Sequence, residues 1–167
     1  MTTRRVLDDE RLTTVGLFME VHSGLNEKFG STLATHGLSD NEFEILLRLG
    51  RTPGGQLRMS DLAAQTSLTT SGITRVVDRL EKSGLVERRN CSTDRRGTWA
   101  TINGAGTAKV TAAAQDHVMD IERWLTGQLD PAQLESLTAV LRVVRDAVRP
   151  GAVAGATPEL AAQPAVR

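Results

Sequence analysis

The chain has 167 residues, and its 20 Lys and Arg balance 20 Asp and Glu, so the formal net charge is zero. That length suits one compact domain or a small domain with helical extensions. With no Tyr, two Trp and three Phe, Ala, Leu and Val must supply the packing, which favours helices over a β-sandwich.

The lone cysteine, Cys91, argues against an internal disulfide framework and fits a reducing cytoplasm. The opening MTTRRVLDDERL lacks the apolar run of a signal peptide or a membrane span. The expected location is therefore the cytoplasm, without membrane attachment.

The first periodic segment covers residues 7–33. Leu12, Val15, Met19, Leu25, Phe29 and Leu33 keep one helical face apolar, and His36-Gly37 ends the helix. Ser39 and Glu42 have the spacing of a capping box, flanked by Leu38 and Phe43 as a hydrophobic staple. Phe43, Leu46, Leu47 and Gly50 mark the expected inner face of this second helix, and residues 51–56 form a loop.

A short helix is expected over residues 60–65, capped by Ser60, with Leu62 and Ala63 inward. After a tight connection, a helix over residues 70–82 starts at the N-cap Thr69 and closes at Ser83-Gly84. Residues 85–89 and 98–102 then read as the two strands of a hairpin, with a charged, turn-rich tip between them. Asn103-Gly104 opens a long helix striped by Val110, Ala114, Val118, Ile121, Leu125 and Leu129. Asp130-Pro131 opens the last helix, where Leu134, Leu137, Leu141, Val144 and Val148 approach a heptad seam. From residue 150 the chain is mostly Gly, Ala and Pro, and a disordered tail is expected over 150–167.

The fold class is thus mainly α with a small β-hairpin wing. A winged helix-turn-helix over residues 38–103 lies between an N-terminal helix (5–37) and C-terminal helices (104–149). Those flanking helices carry longer apolar stripes than so small a winged domain can cover. Isologous pairing with a second copy would bury them in a helical dimerisation layer.

The helix over residues 70–82 has two distinct faces. At about 100° per residue, Ile73, Val76, Val77 and Leu80 share one side, and Ser71, Thr74, Arg75 and Asp78 the other. The polar side suits a major groove: hydroxyls bond to bases or phosphates, and an Arg grips guanine through two parallel bonds. The small Ser71 and Gly72 allow close approach, and the free N–H groups of the helix start suit a phosphate. An ordinary amphipathic surface helix would look similar; the preceding short helix and turn and the following basic hairpin favour DNA. Between Arg75 and Arg96, seven basic residues face four acidic ones, an excess of three, so the neutral total hides a local positive field.

The tip reads Asn90-Cys91-Ser92-Thr93-Asp94-Arg95-Arg96-Gly97. Beside a recognition helix, such a tip reaches the adjacent minor groove, where Arg is favoured. Asp94 is expected to orient Arg96 or another wing arginine. The alternative is a solvated charged turn.

The run Ser71-Gly72-Ile73-Thr74-Arg75-Val76-Val77-Asp78-Arg79-Leu80-Glu81-Lys82-Ser83-Gly84-Leu85-Val86-Glu87-Arg88, followed by Asp94-Arg95-Arg96-Gly97, strongly resembles the multiple antibiotic resistance regulator (MarR) family. The resemblance spans residues 7–148. It implies a winged-helix homodimer that binds a pseudo-palindromic operator on double-stranded DNA, mostly as a repressor, and is released by small aromatic or phenolic ligands. It matches Arg96 to the minor-groove arginine, Asp94 to the wing aspartate, and Ser71, Thr74 and Arg75 to the major-groove face. The expected DNA-contacting set is Ser60, Thr69, Thr70, Ser71, Thr74, Arg75, Arg79, Arg88, Asp94, Arg95, Arg96 and Gly97.

An effector cleft would lie between the dimer helices and the winged domain, with Met19, His22, Phe43, Leu47 and Arg48 as candidates. Some relatives sense oxidants through a cysteine near the start of the first helix, and others bind urate with a Trp there; this chain has neither. Cys91 reads as a tolerated exposed thiol, and Trp99 and Trp124 as packing residues. His22, His36 and His117 lack zinc spacing, so no metal and no cofactor are expected. There is no nucleophile elbow, phosphate loop or supported carboxylate pair, so an enzyme is not expected. The competing reading is a winged-helix protein-interaction module without specific DNA binding.

Overall fold

The computed structural model describes residues 6–66, 68–90 and 98–149. Among the described residues, six longer helices and three short strands follow in the order α1 (Glu10–Thr35), α2 (Asp40–Arg51), β1 (Gln56–Arg58), α3 (Met59–Gln65), α4 (Thr70–Lys82), β2 (Val86–Asn90), β3 (Thr98–Ile102), α5 (Gly104–Trp124) and α6 (Pro131–Val148). The expected tail, residues 150–167, and the wing tip, residues 91–97, lie outside the described residues. Among the described residues, no helix is long and apolar enough to cross a membrane.

Most helix ends form where local chemistry predicts them. Ser39 and Glu42 make the full capping box, and Asp130 pairs with Gln133 in a second one behind Pro131. Thr69 caps α4 by accepting from the Gly72 amide, and Asn103 caps α5 through the Gly106 amide. His36 closes α1, and Gly37 turns the chain at a φ of 63°, a left-handed conformation cheap only for glycine.

Four expectations need correction. The long first helix begins at Glu10, because the Asp9 carboxylate caps the Arg11 amide; Val6 and Leu7 are helical as expected, but a break at Asp8 and Asp9 separates them from it. The third helix starts at Met59 with Arg58 in the cap position and no side-chain cap. Ser60 is therefore already inside it, its hydroxyl donating to Asp61 Oδ1 at 3.3 Å, because the preceding strand runs straight into the helix. The sheet is three-stranded, ordered β1-β3-β2 and antiparallel. The extra strand is Gln56–Arg58, read in the sequence as loop and helix approach; three residues are too few to show a period. Finally, α2 buries Phe43, Ile45, Leu46 and Leu49, whereas Gly50 is exposed and Leu47 half-buried.

The core forms where α2 and α4 cross under the sheet. Leu33 and Leu38 enter from the α1 end, Leu62 from α3, and Ile73, Val76, Val77 and Leu80 from α4. Val86, Ala100, Val110 and Ala113 close it. Each fully buried aliphatic side chain stabilises the fold by about 1.5–3 kcal/mol, so the four from α4 anchor that helix firmly.

The flanking helices are different. Leu12, Val15, Phe18 and Met19 on α1, Val118 and Met119 on α5, and Val140, Val143, Val144 and Val148 on α6 are all more than half exposed in the single chain. No residue of α6 is buried. So large an apolar surface exceeds what monomeric proteins ordinarily show to water.

Candidate nucleic-acid interface

The exposed side of α4 is built from its first two turns. Thr70, Ser71, Thr74 and Arg75 are exposed, and the aliphatic residues behind them are buried. Thr69 Oγ1 accepts from the Gly72 amide and shares a hydrogen bond with Ser71 Oγ, both at 3.1 Å. Thr74 Oγ1 donates back to the Thr70 carbonyl at 3.0 Å. Arg75 has no ion-pair partner among the described residues. Its guanidinium is thus presented outward beside small hydroxyls, the arrangement that direct readout of a guanine requires. Gly72 serves the turn as well as the face: a Cβ there would meet Thr69 Oγ1 at 3.3 Å and Leu68 Cβ at 3.4 Å.

Two other expected contacts are turned to different partners. Arg79 Nε lies 3.0 Å from Glu42 Oε1, tying α4 to the first turn of α2. Burial pushes the Glu42 carboxyl up, but hydrogen bonds from Ser39 and the Arg79 charge outweigh it and hold the group below its ordinary 4.5. Arg88, on β2, places Nη1 2.5 Å from Asp78 Oδ1 and donates from Nη2 to the Thr74 carbonyl at 3.0 Å. Its side chain is only 25% exposed. Ser60 lies exposed on α3. Asp94, Arg95, Arg96 and Gly97 lie outside the described residues.

The strands beneath the wing are held firmly. Val86 pairs with Ile102 and Arg89 with Trp99 across β2 and β3. Arg58 sits opposite Trp99 in the β1–β3 pair, with its guanidinium carbon 5.3 Å from the ring centre. Asn103 joins this unit to the end of α4: its side chain donates to the Gly84 carbonyl at 2.8 Å and its amide to the Leu85 carbonyl at 3.2 Å. Sequence reading missed Gly106. A Cβ there would collide with the Leu85 carbonyl oxygen, so only glycine lets α5 start against the end of α4. A Gly one turn inside a predicted helix was the available signal.

A groove of about 540 Å³ runs between α2 and α5, lined by Leu47, Gly50, Arg51, Thr107, Val110, Thr111, Ala114, Gln115 and Val118. Of the five effector candidates, only Leu47 lines it. Met19 and His22 are exposed on α1. Phe43 is buried against His117, with ring centres 5.0 Å apart. Arg48 pairs with Glu44 at 2.8 Å. The groove follows the crossing of α2 and α5. Trp124 is 39% exposed, with Lys28 and Arg123 over its ring.

A short helix, a turn, a second helix with a buried aliphatic back and a polar front, and an antiparallel wing define a winged helix-turn-helix of the transcription-regulator class. Residues 36–97 match the family model described as MarR family. Over 123 residues the chain is 28% identical to the HTH-type transcriptional regulator MhqR of Bacillus subtilis, covering 74% of this chain and 83% of that protein. The crystal structure of AbsC, a MarR family transcriptional regulator from Streptomyces coelicolor, superposes with a TM-score of 0.81 at 31% identity, covering 85% of this chain and 96% of AbsC. Sco3205, a MarR family regulator from the same organism solved in complex with DNA, gives a TM-score of 0.81 at 28% identity, covering 84% and 89%. The chain belongs to the MarR family of winged helix-turn-helix transcriptional regulators.

Proposed function

We propose that this regulator binds a pseudo-palindromic site on double-stranded DNA as a homodimer, with α4 in the major groove and the wing toward the minor groove, and that it acts as a repressor. The observation that carries this is the two-sided character of α4. Its back is locked into the core, and its front presents Ser71, Thr74 and Arg75, which has no ion-pair partner among the described residues. The exposed apolar faces of α1, α5 and α6 support the dimer, and a two-fold dimer would match a two-fold operator. The DNA complex of Sco3205 supports the mode of binding. Bound in this way, the protein would sit on the nucleoid.

A gel shift on the DNA upstream of its own gene, repeated at two salt concentrations, tests the reading. Arg75→Ala should relax base preference by about 1–3 kcal/mol at one position per half-site, and Arg96→Ala should weaken binding and lower its salt dependence. A wild-type chain that binds that DNA no better than scrambled duplex would favour the protein-interaction module instead.

A small aromatic effector remains part of the proposal, supported by the groove between α2 and α5 and its apolar lining. Screening by thermal shift should find ligands whose stabilisation is lost on Leu47→Trp, which would fill the groove. Stabilisation untouched by that change would place the effector elsewhere.

A further inference from the structure

The front of α4 carries one group that DNA should repel. Asp78 lies on the same side as Ser71, Thr74 and Arg75, and its side chain is 42% exposed. A carboxylate there faces phosphates unless something neutralises it. Arg88 does so from β2, with Nη1 2.5 Å from Asp78 Oδ1 and 3.9 Å from Glu81 Oε2. Its Nη2 donates to the Thr74 carbonyl, and its backbone amide donates to Glu81 Oε1 at 3.2 Å. The Arg88 Nε is buried, so the guanidinium is turned in toward the domain. Three groups of α4, spread over two turns, thereby converge on one residue of the wing strand.

Resting on the DNA-binding reading above, we infer that Arg88 is a positioning residue. It fixes the angle between the recognition helix and the wing strand, and it masks the Asp78 charge on the groove face. It touches no DNA itself. Two rigid probes entering neighbouring grooves must keep a fixed offset, since register errors of about an ångström remove well-formed polar contacts. The bond to the Thr74 carbonyl matters because it engages the helix backbone beside Arg75 rather than a movable side chain.

The inference makes an unusual prediction for Asp78→Asn. Electrostatics alone says that deleting a negative charge from a DNA-facing helix tightens binding. Positioning says the reverse, because Arg88 loses its principal partner. The test uses the full-length chain and a duplex selected by the wild-type protein from a random pool, compared with a scrambled duplex. We expect Arg88→Met and Asp78→Asn each to weaken specific binding on the order of tenfold, the scale of a lost charge-assisted contact, with scrambled-duplex binding near wild type in Asp78→Asn and slightly weakened in Arg88→Met, which unmasks Asp78. The double variant should be no worse than either single change, because both break one joint. The slope of log affinity against log salt should keep its wild-type value in Arg88→Met, whereas a lost phosphate contact would lower it by about 0.9.

Thermal melting by circular dichroism confirms that each variant is folded at the assay temperature. Asp78→Asn supplies the test if Arg88→Met does not fold, since it keeps the shape of the site. Tighter binding by Asp78→Asn, or a slope reduced by about 0.9 in Arg88→Met, would make Arg88 a phosphate contact and overturn the inference. Failure of the wild-type chain to enrich any sequence would instead remove the DNA-binding reading beneath it.

Discussion

Helices α4 and α6 carry similar sequence patterns and meet opposite fates. Both repeat aliphatic residues at three and four. In α4 the stripe is sealed: Ile73 is 1% exposed, Val77 0% and Leu80 1%. In α6 it lies open toward its C-terminal end: Leu141 is 43% exposed, Val144 53% and Val148 71%. The periodicity says only that a face wants burial. Whether the partner lies in the same chain depends on what the loops bring near. The connection after Gln65 folds α4 back onto α2 and α3, whereas among the described residues no element of the same chain buries any residue of α6.

The most severe way to break this contrast is to place the same charge in both stripes. Val77→Asp would leave a carboxylate in a sealed aliphatic core. It should cost more than about 4 kcal/mol, enough to remove most of a small domain's stability, seen as loss of the cooperative melt. Val144→Asp should leave the winged domain folded. It should instead weaken self-association at least a hundredfold, about 2.7 kcal/mol, read as dimer-to-monomer conversion in sedimentation equilibrium. Equal destabilisation by both changes would mean that α6 is covered within its own chain after all.

The same contrast explains what the sequence disclosed. Caps were legible because they depend on two or three neighbouring side chains: Ser39 with Glu42, Asp130 with Gln133, Thr69 with Gly72. The core side of α4 was legible for the same local reason. What escaped depended on distant parts. Strand β1 is three residues long and exists only because β3 offers it an edge. The partners of Arg79 and Arg88, which lie 37 and 10 positions away at Glu42 and Asp78, are set by how helices cross. So is the groove between α2 and α5, which retained one of five expected residues. At the candidate interface, the exposure of Ser71, Thr74 and Arg75 was legible from the two faces of α4, but the division between outward Arg75 and inward Arg88 was not.

Gly106→Ala sharpens the comparison at the joint between the two halves. The added methyl would meet a backbone oxygen and Ile102 Cγ1 at 2.8 Å, and backbone cannot rotate away. Overpacking of this kind costs about 1–3 kcal/mol, so denaturant midpoints should fall with little change in slope. Gly104→Ala is the control, since nothing lies within 4 Å of a Cβ at that position. An equal loss in both variants would reflect glycine's backbone freedom rather than the close approach.

The smallest effect lies at His117, where α1, α2 and α5 meet. Its ring stands edge-on to Phe29 and Phe43, with centres at 4.7 and 5.0 Å, and its Nδ1 is buried without a hydrogen-bond partner among the described residues. Burial lowers its pKa below the ordinary 6.5, and Asp120 and Asp40 only partly oppose this. The unfolded chain therefore takes up this proton more readily than the folded one. The stability contribution of the neutral ring is fully present above about pH 6.5 and is lost as pH falls toward the folded value. His117→Leu keeps an apolar body between the two phenylalanines and removes the proton. Its melting temperature should fall less steeply than that of the wild type between neutral pH and pH 5, a small difference that scanning calorimetry resolves. Parallel profiles for the two proteins would show that protonation of His117 does not contribute to acid sensitivity, and that its ring serves the meeting of α1, α2 and α5 only through its contacts with Phe29 and Phe43.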